Sequence, residues 1–403
     1  MTEFIHEPAR DVPVGHSCGV LVAGGGIAGI AAAIAAARGG ADVLLLEREY
    51  ALGGLATLGL ITIYLPLCDG MGHQVVFGLG EELLKLSIKN GAEQNYPAAW
   101  LDRNVPEERR EKRYMTQFNP NLFALEAEKL LLRLGVRILY GSVAVGADVR
   151  DGAIRSVTIE NKSGRSAIRA GAVVDATGDA DICRLAGAPV ALYPKKNGLA
   201  SWYYYLSQGT QRLKMFGLAD VVSDDSDHST AMNNVTVASL TNRRYNGVDG
   251  DELSQLVIDG HQKMYADVLA EKAKDPNAVP VSISSIPLVR MTRRLAGEYE
   301  LDESEDHRHQ DDSIGMTPDW RKRGPVFEIP YRSLYCRQIR NLLAAGRDIS
   351  VTSPMWDVTR VIPPCAVTGE AAGTAAAMTC DFPALSVREL QAALERHGAR
   401  LHF

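Results

Sequence analysis

Six residues near the start, Gly24-Gly25-Gly26-Ile27-Ala28-Gly29, constrain this 403-residue chain more than any other feature. They fit the pattern GxGxxG, and their surroundings give it meaning. Residues 19–23 read as a short strand, 27–38 as an Ala-rich helix stopped by Gly39-Gly40, and 42–47 as a second strand. That is a βαβ unit, the core of a doubly wound sheet. Gly24 permits the tight turn, Gly26 lets the backbone approach a pyrophosphate, and Gly29 lets the helix pack on the strand. The helix start at Ile27 and Ala28 offers free N–H groups and the positive dipole end to phosphates. Glu47 ends the second strand eighteen residues after Gly29, where a carboxylate accepts both ribose hydroxyls, and Arg48 follows it. The pattern predicts dinucleotide binding without choosing FAD over NAD.

Composition narrows the setting. Apolar residues make up 46% and charged residues 23%, ordinary for a folded chain, and the length predicts a large domain plus a smaller one. A formal charge of −6 disfavours nucleic-acid and anionic-membrane partners, which need a basic excess. Residues 18–37 carry no charge, yet five glycines break that run, so it reads as strand, turn and helix rather than a membrane span. The first thirteen residues contain Glu3, Glu7 and Asp11, which is unlike the basic start of a signal peptide. Six scattered cysteines with no CxxC pair predict free thiols in a reducing cytoplasm.

Further along, the spacing predicts a helix over 81–90 and another from Asn119-Pro120 to Gly135, with Leu122, Leu125 and Leu132 as its apolar stripe. Residues 142–169 read as a small antiparallel meander turning at Asp151-Gly152 and Lys162-Ser163-Gly164, and 172–177 as a separate buried strand. Composition changes from about 190 to 330: aromatics at Trp202 to Tyr205, a Ser/Asp run at 223–230, and an acidic loop at 302–312. Strand, glycine turn and small-residue helix return at 341–379. The expected architecture is α/β: a discontinuous, doubly wound Rossmann-like domain over 17–190 and 331–403. An α+β substrate domain is inserted at 191–330, and residues 1–16 form a tail.

Four more segments carry a resemblance. They are Gly53-Gly54-Leu55-Ala56-Thr57, Val174-Asp175-Ala176-Thr177-Gly178-Asp179-Ala180-Asp181, Gly346-Arg347-Asp348, and Arg360-Val361-Ile362-Pro363-Pro364-Cys365 with Gly369 and Ala371-Ala372-Gly373. In this order and spacing the chain resembles FAD-dependent oxidoreductases of the glutathione-reductase-like (GR2-type) fold. It is distantly similar to fumarate reductase flavoprotein subunits and tricarballylate dehydrogenase. The likeness covers 17–85, 115–190 and 285–400. It implies FAD as cofactor, with Gly53, Gly54 and Thr57 along the pyrophosphate and flavin edge and Val143 meeting the adenine. It also implies that Ala176-Thr177-Gly178 pass under the dinucleotide, that Asp348 meets the ribityl or pyrophosphate region, and that the helix near Pro364 aims its N-terminus at the flavin. Leu55, Ala56, Asp179, Gly346, Arg347, Cys365 and Ala372 belong to the same expected cofactor set.

No second GxGxxG follows residue 180, so a bound NAD(P)H domain is not expected and the electron acceptor stays open. Three residues are candidates for handling a small-molecule substrate. Arg360 precedes the flavin-facing helix and either binds an anion or is a surface arginine paired with Asp357. Arg290 either clamps a carboxylate or belongs to a solvated basic cluster with Arg293 and Arg294. His73, on a glycine-rich loop, is an acid/base, a covalent flavin anchor, or neither. Asp306-His307-Arg308-His309-Gln310-Asp311-Asp312 has metal-ligand residue types without the spacing of a closed site, so it reads as a solvated loop and no metal is expected. Trp202 to Tyr205 read as alternating between a core face and an outer face, and Cys365 as a small buried filler. The expected activity is hydride transfer between a hydroxylated or carboxylated small molecule and flavin N5. The alternatives are reduction of an alkene acid, or an FAD-binding electron-transfer or redox-sensing protein.

Overall fold

The computed structural model describes residues 3–103, 105–217 and 241–403; the Ser/Asp run at 223–230 lies outside the described residues. At the centre is a seven-stranded sheet in the order Arg137–Leu139, Val43–Leu46, Val14–Ala23, Gly164–Asp175, Ala153–Asn161, Val143–Arg150, with Leu342–Ala344 also paired to Gly164–Asp175. The first four strands and Leu342–Ala344 are parallel, and the two meander strands are antiparallel. Val14–Ala23 begins earlier than the sequence suggests, pairing Val14 with Ala167.

The meander and the buried strand are not separate elements. Gly164–Asp175 is one strand whose first half forms a hairpin with Ala153–Asn161, while its second half lies between Val14–Ala23 and Leu342–Ala344. Gly171, at the expected boundary, stays extended within the strand. Burial alone changes, from partial at its start to complete over residues 172–175, as expected where a sheet passes from one covered face to two.

Side chains of Val14–Ala23 alternate between two cores. Val20 and Val22 join the helices Ile27–Arg38 and Ile362–Met378 on one face, and Leu21 and Ala23 join the meander and the short helix Asp181–Leu185 on the other. Ile27–Arg38 and Ile362–Met378 touch almost backbone to backbone. A Cβ on Gly369 would run into the carbonyl of Ala28, and one on Gly373 into that of Ala32. The small-residue stripe is therefore the contact surface between these two helices. The first core also takes in Ile314, Met316, Phe327 and Ile329 of the hairpin Ser313–Pro318/Val326–Pro330.

Helix Pro120–Arg133 starts where expected, with the Asn119 side chain accepting from Asn121 and Leu122 N–H. Its buried stripe is Phe123, Ala127 and Leu131, whereas Leu122, Leu125 and Leu132 face solvent. Phe123, Ala127 and Leu131 recur every four residues and lie on the one helix face turned to the core, where Phe123 packs against Phe118.

The middle of the chain builds a three-stranded antiparallel sheet, Thr210–Phe216, Ser201–Ser207, Val279–Ile283, beside the long helix Gly250–Lys274. Residues 201–205 are all buried, so the expected alternation of core and solvent faces gives way to two covered faces. Trp202 and Tyr204 pack with Leu60 and Leu288, while Tyr203 and Tyr205 pack with Met264 of the helix. Among the described residues no helix is long and apolar enough to cross a membrane.

Candidate functional site

A cavity of ≈ 490 Å³ opens at the carboxyl ends of the parallel strands, between the sheet and the Trp202 strand. The structure brings most of the expected residues to its wall: Gly24, Gly26, Ile27, Ala28, Glu47, Arg48, Gly53, Gly54, Leu55, Ala56, Val143, Ala176, Thr177, Gly178, Asp179, Gly346, Arg347 and Cys365, together with Arg290 and Arg360.

Glycines shape the near wall. Gly24 lies at φ +103°, where a Cβ would strike the Ala176 carbonyl, and Gly53 at φ +101° opens the turn Gly54–Ala56. Gly26 and Gly53 form a parallel bridge, so the two glycine turns lie side by side. A Cβ on Gly26 would meet nothing within 4 Å: that position faces open space. Glu47 is buried, and its two oxygens accept the N–H of Gly25 at 2.6 Å and of Glu49 at 2.8 Å. These bonds fix the plane of the carboxylate and leave a second lone pair on each oxygen.

Four of the expected cofactor residues stand behind the wall. Gly29 packs on Gly24, and Ala372 lies in the contact between the two long helices. The Thr57 hydroxyl donates to the Leu52 carbonyl at 2.5 Å and closes the Gly53 turn. Asp348 is fully buried, and its carboxylate accepts the N–H of Gly178 at 2.9 Å and of Ala180 at 3.0 Å. It thus shapes the turn beneath the cavity. Burial, reinforced by Asp175, pushes the Asp348 carboxyl well above the usual carboxylate range.

The far wall is charged and largely buried. Arg290 is buried, its guanidinium 5.5 Å from the Trp202 ring, and its Nε and Nη2 have no hydrogen-bond partner. Burial and then repulsion from Arg360 push it down to about 9. Arg347 donates to the carbonyls of Val289 and Arg290 at 2.8 and 3.1 Å, holding that backbone against the Gly346 turn. Arg293 and Arg294 are buried too, paired with Asp181 and Glu300, so the solvated basic cluster is not observed. Arg360 does pair with Asp357, through Nε at 2.9 Å, but deep inside. Behind it Arg321 chelates Asp319 and lies 3.7 Å from Asp357, giving the buried series Asp319–Arg321–Asp357–Arg360.

His73 is not brought to the cavity. It is exposed, with Nδ1 2.7 Å from Asp69. The loop 306–312 is less solvated than expected, since Gln310 and Asp312 are buried and Asp312 pairs with Arg332. Cys365 is buried at the wall, its thiol pushed up to about 12 by burial, so it is a neutral filler. All six cysteines are free.

The sequence matches the family model described as FAD dependent oxidoreductase over residues 19–247 and 206–394. The chain belongs to that family. Similar solved structures include p-nitrophenol 4-monooxygenase PnpA from Pseudomonas putida DLL-E4, at 13% identity and TM-score 0.47, over 94% of this chain and 84% of that one. CabE, an aromatic hydroxylase from angucycline biosynthesis, is similar at 14% identity and TM-score 0.46, over 94% of this chain and 65% of CabE. A geranylgeranyl bacteriochlorophyll reductase-like protein from Thermoplasma acidophilum gives 12% and 0.41, over 95% and 82%. The chain thus spans about two thirds of CabE's length. No curated protein matches it.

The cavity of this FAD-dependent oxidoreductase fits its cofactor. The open Cα side of Gly26 and the abutting glycine turns leave room for a pyrophosphate, and Glu47 stands at the cavity wall with lone pairs that ribose hydroxyls could use. The helix Ile362–Met378 offers less than expected, because Pro363 and Pro364 carry no N–H and only Ile362 of its first three residues does. Sequence reasoning missed Trp320, whose indole donates to the Asp357 carbonyl at 2.9 Å, and the segment Ser285-Ile286-Pro287, all of which line the cavity. Neither carries a local signal; both arrive by long-range packing.

Proposed function

We propose that this enzyme exchanges hydride with a small hydroxylated or carboxylated substrate, which an arginine pair holds at the far wall of the cofactor cavity. FAD supplies the two-electron chemistry. The rest falls to the chain. Gly24, Gly26, Gly53, Gly54 and Gly178 admit the dinucleotide, Glu47 accepts its ribose hydroxyls, and Val143 borders the adenine. The observation that carries the substrate reading is Arg290, a buried cation on the wall with two unpartnered N–H-bearing nitrogens. An ion in such a place is costly without a counter-charge, and a substrate carboxylate is the bidentate partner a guanidinium accepts best. Arg360, neutralised by Asp357, adds a polar edge, while Trp202 and Trp320 keep water from the site.

The finer likeness to fumarate reductase subunits and tricarballylate dehydrogenase belongs to this proposal, with reduction of an unsaturated acid as the reverse of the same step. Division into a cofactor domain and an inserted substrate domain is part of it too. So is a cytoplasmic setting, which six unpaired cysteines support. The test is anaerobic mixing of the yellow holoprotein with 2-hydroxy acids and saturated dicarboxylates, and of the reduced protein with unsaturated acids. Loss or return of the visible flavin band with anionic compounds supports the reading. Equal response to uncharged alcohols, or none across the panel, overturns it.

A further inference from the structure

His309, Glu328 and His402 are far apart in sequence, and none lines the cofactor cavity, yet one donor atom of each lies within 4.8 Å of the others. His402 Nδ1 is 3.0 Å from Glu328 Oε2, and His309 Nδ1 is 3.6 Å from the same oxygen. The two imidazoles are 4.6 Å apart between centroids. Around a tetrahedral zinc with bonds near 2.1 Å, neighbouring donors stand about 3.4 Å apart, so the observed spacings bracket those of a coordinated set.

Glu328 points to a cation independently. It belongs to the buried strand Val326–Pro330 and its side chain is 0% exposed. Oε2 accepts the Gln310 N–H at 2.7 Å and is hydrogen-bonded to His402 Nδ1 at 3.0 Å, while the carboxylate's other oxygen, Oε1, is buried with no hydrogen-bond partner. A buried carboxylate in that state needs positive charge close by. The backbones that carry the histidines are held in place: the Gln310 side chain donates to Glu305 at 2.7 Å, and Ser313 Oγ donates to the Leu401 carbonyl at 2.6 Å. His309 Nε2 lies 3.4 Å from the exposed carboxylate of Asp311.

We propose that His309, Glu328 and His402 form a binding site for a divalent transition ion, Zn2+ by its nitrogen-and-carboxylate chemistry, with a fourth position open to water. Two imidazoles and a single carboxylate suit zinc and disfavour magnesium, which takes oxygen ligands in octahedral array. The ion fastens residues 400–403 to the Val326–Pro330 strand and the 302–312 loop. Sequence spacing hides the site because loop, strand and the 402 position meet only after the hairpin folds.

The test uses the untagged holoprotein, freed of metal by a chelator and titrated with Zn2+ against a zinc-binding dye while melting is followed. The expected result is one zinc per chain and a melting temperature raised by a few degrees, with Mg2+ ineffective. His309→Ala and His402→Ala should each weaken binding by about an order of magnitude or more and abolish the rise, leaving flavin absorbance per protein unchanged. His309 is exposed, so its variant keeps the test valid if His402→Ala folds poorly. Absence of zinc binding, or binding retained in His309→Ala as an exposed Cys380 site would give, overturns the proposal.

Discussion

At its nucleotide end the cavity wall is mostly backbone, with Gly24, Gly26, Gly53, Gly54 and Gly178 leaving space beside the buried carboxylate of Glu47. At the other end it is side chain: two buried arginines, two tryptophans and an acid–base series leading into the core. The first kind of surface recognises a shape common to every dinucleotide. The second recognises charge, and charge is what separates one small substrate from another. If the contrast is real, substitutions at the two ends should fail in different ways.

The largest effect should come from two glycines three residues apart. In Gly29→Ala the new methyl runs into the Gly24 carbonyl, backbone against backbone, at an expected cost of about 3 kcal/mol or more and a loss of the flavin with the fold. In Gly26→Ala the methyl enters open space at φ −69°, which alanine adopts freely. That variant should melt within a few degrees of the parent apoprotein yet retain little flavin. Melting curves with the ratio of visible to 280 nm absorbance separate the outcomes. Equal flavin content in Gly26→Ala and the parent would move the phosphates elsewhere.

Those glycines also show what the sequence could reveal. A turn that needs φ > 0 or a missing Cβ accepts one residue, so Gly24, Gly53 and Gly346 mark their own positions, and the βαβ unit follows from local periodicity. Arg290 carried only half a signal. Its residue type suggested a carboxylate, but its burial depends on Trp202, some ninety residues away, and on Arg347 holding its backbone. Asp348 is the same kind of case. An acid after a glycine looks directed at the ligand, while its partners, the Gly178 and Ala180 amides, come from another strand end. His73 lies on a glycine-rich loop whose first residues, Cys68 to Gly70, are buried while its tip at Met71 and His73 is exposed.

The charged end should yield next. Arg290→Met removes a buried cation without a partner and puts an apolar chain of similar length against Trp202. Stability should hold or rise, since such replacements are often neutral or favourable, and flavin content should not change. Turnover should still fall by roughly 30- to 1000-fold in kcat/KM on an anionic substrate, the effect of losing a buried charge-assisted pair. A fall confined to stability, with kcat/KM intact, would remove Arg290 from the substrate site.

Glu370 tests whether the backbone-built side is free of buried charge. It lies on the helix Ile362–Met378, accepts the Leu79 N–H at 2.8 Å, and burial pushes its carboxyl from 4.5 up to about 7. The folded state therefore holds this proton more tightly than the unfolded chain does. Stability from this group is complete below pH 4.5 and lost as pH rises toward 7. Glu370→Gln keeps an acceptor for Leu79 and removes the titration. Denaturant unfolding should show it more stable than the parent above pH 7, by about 3 kcal/mol, with the gap closing toward pH 4.5. A constant gap across that range would assign the effect to packing.

The smallest effect belongs to His73, and its smallness is informative. Its side chain is 76% exposed, and its hydrogen bond to Asp69, made at the surface, contributes under about 1 kcal/mol. Asp69 itself keeps two backbone donors, Met71 at 2.7 Å and His73 at 3.1 Å, when the imidazole is gone. In His73→Ala the loop should therefore stay in place, and flavin content, melting temperature and turnover should match the parent. A loss of bound flavin would mean that this loop swings onto the cofactor when it binds. The cavity would then have a third, mobile wall, and the division into a backbone end and a charged end would need a histidine between them.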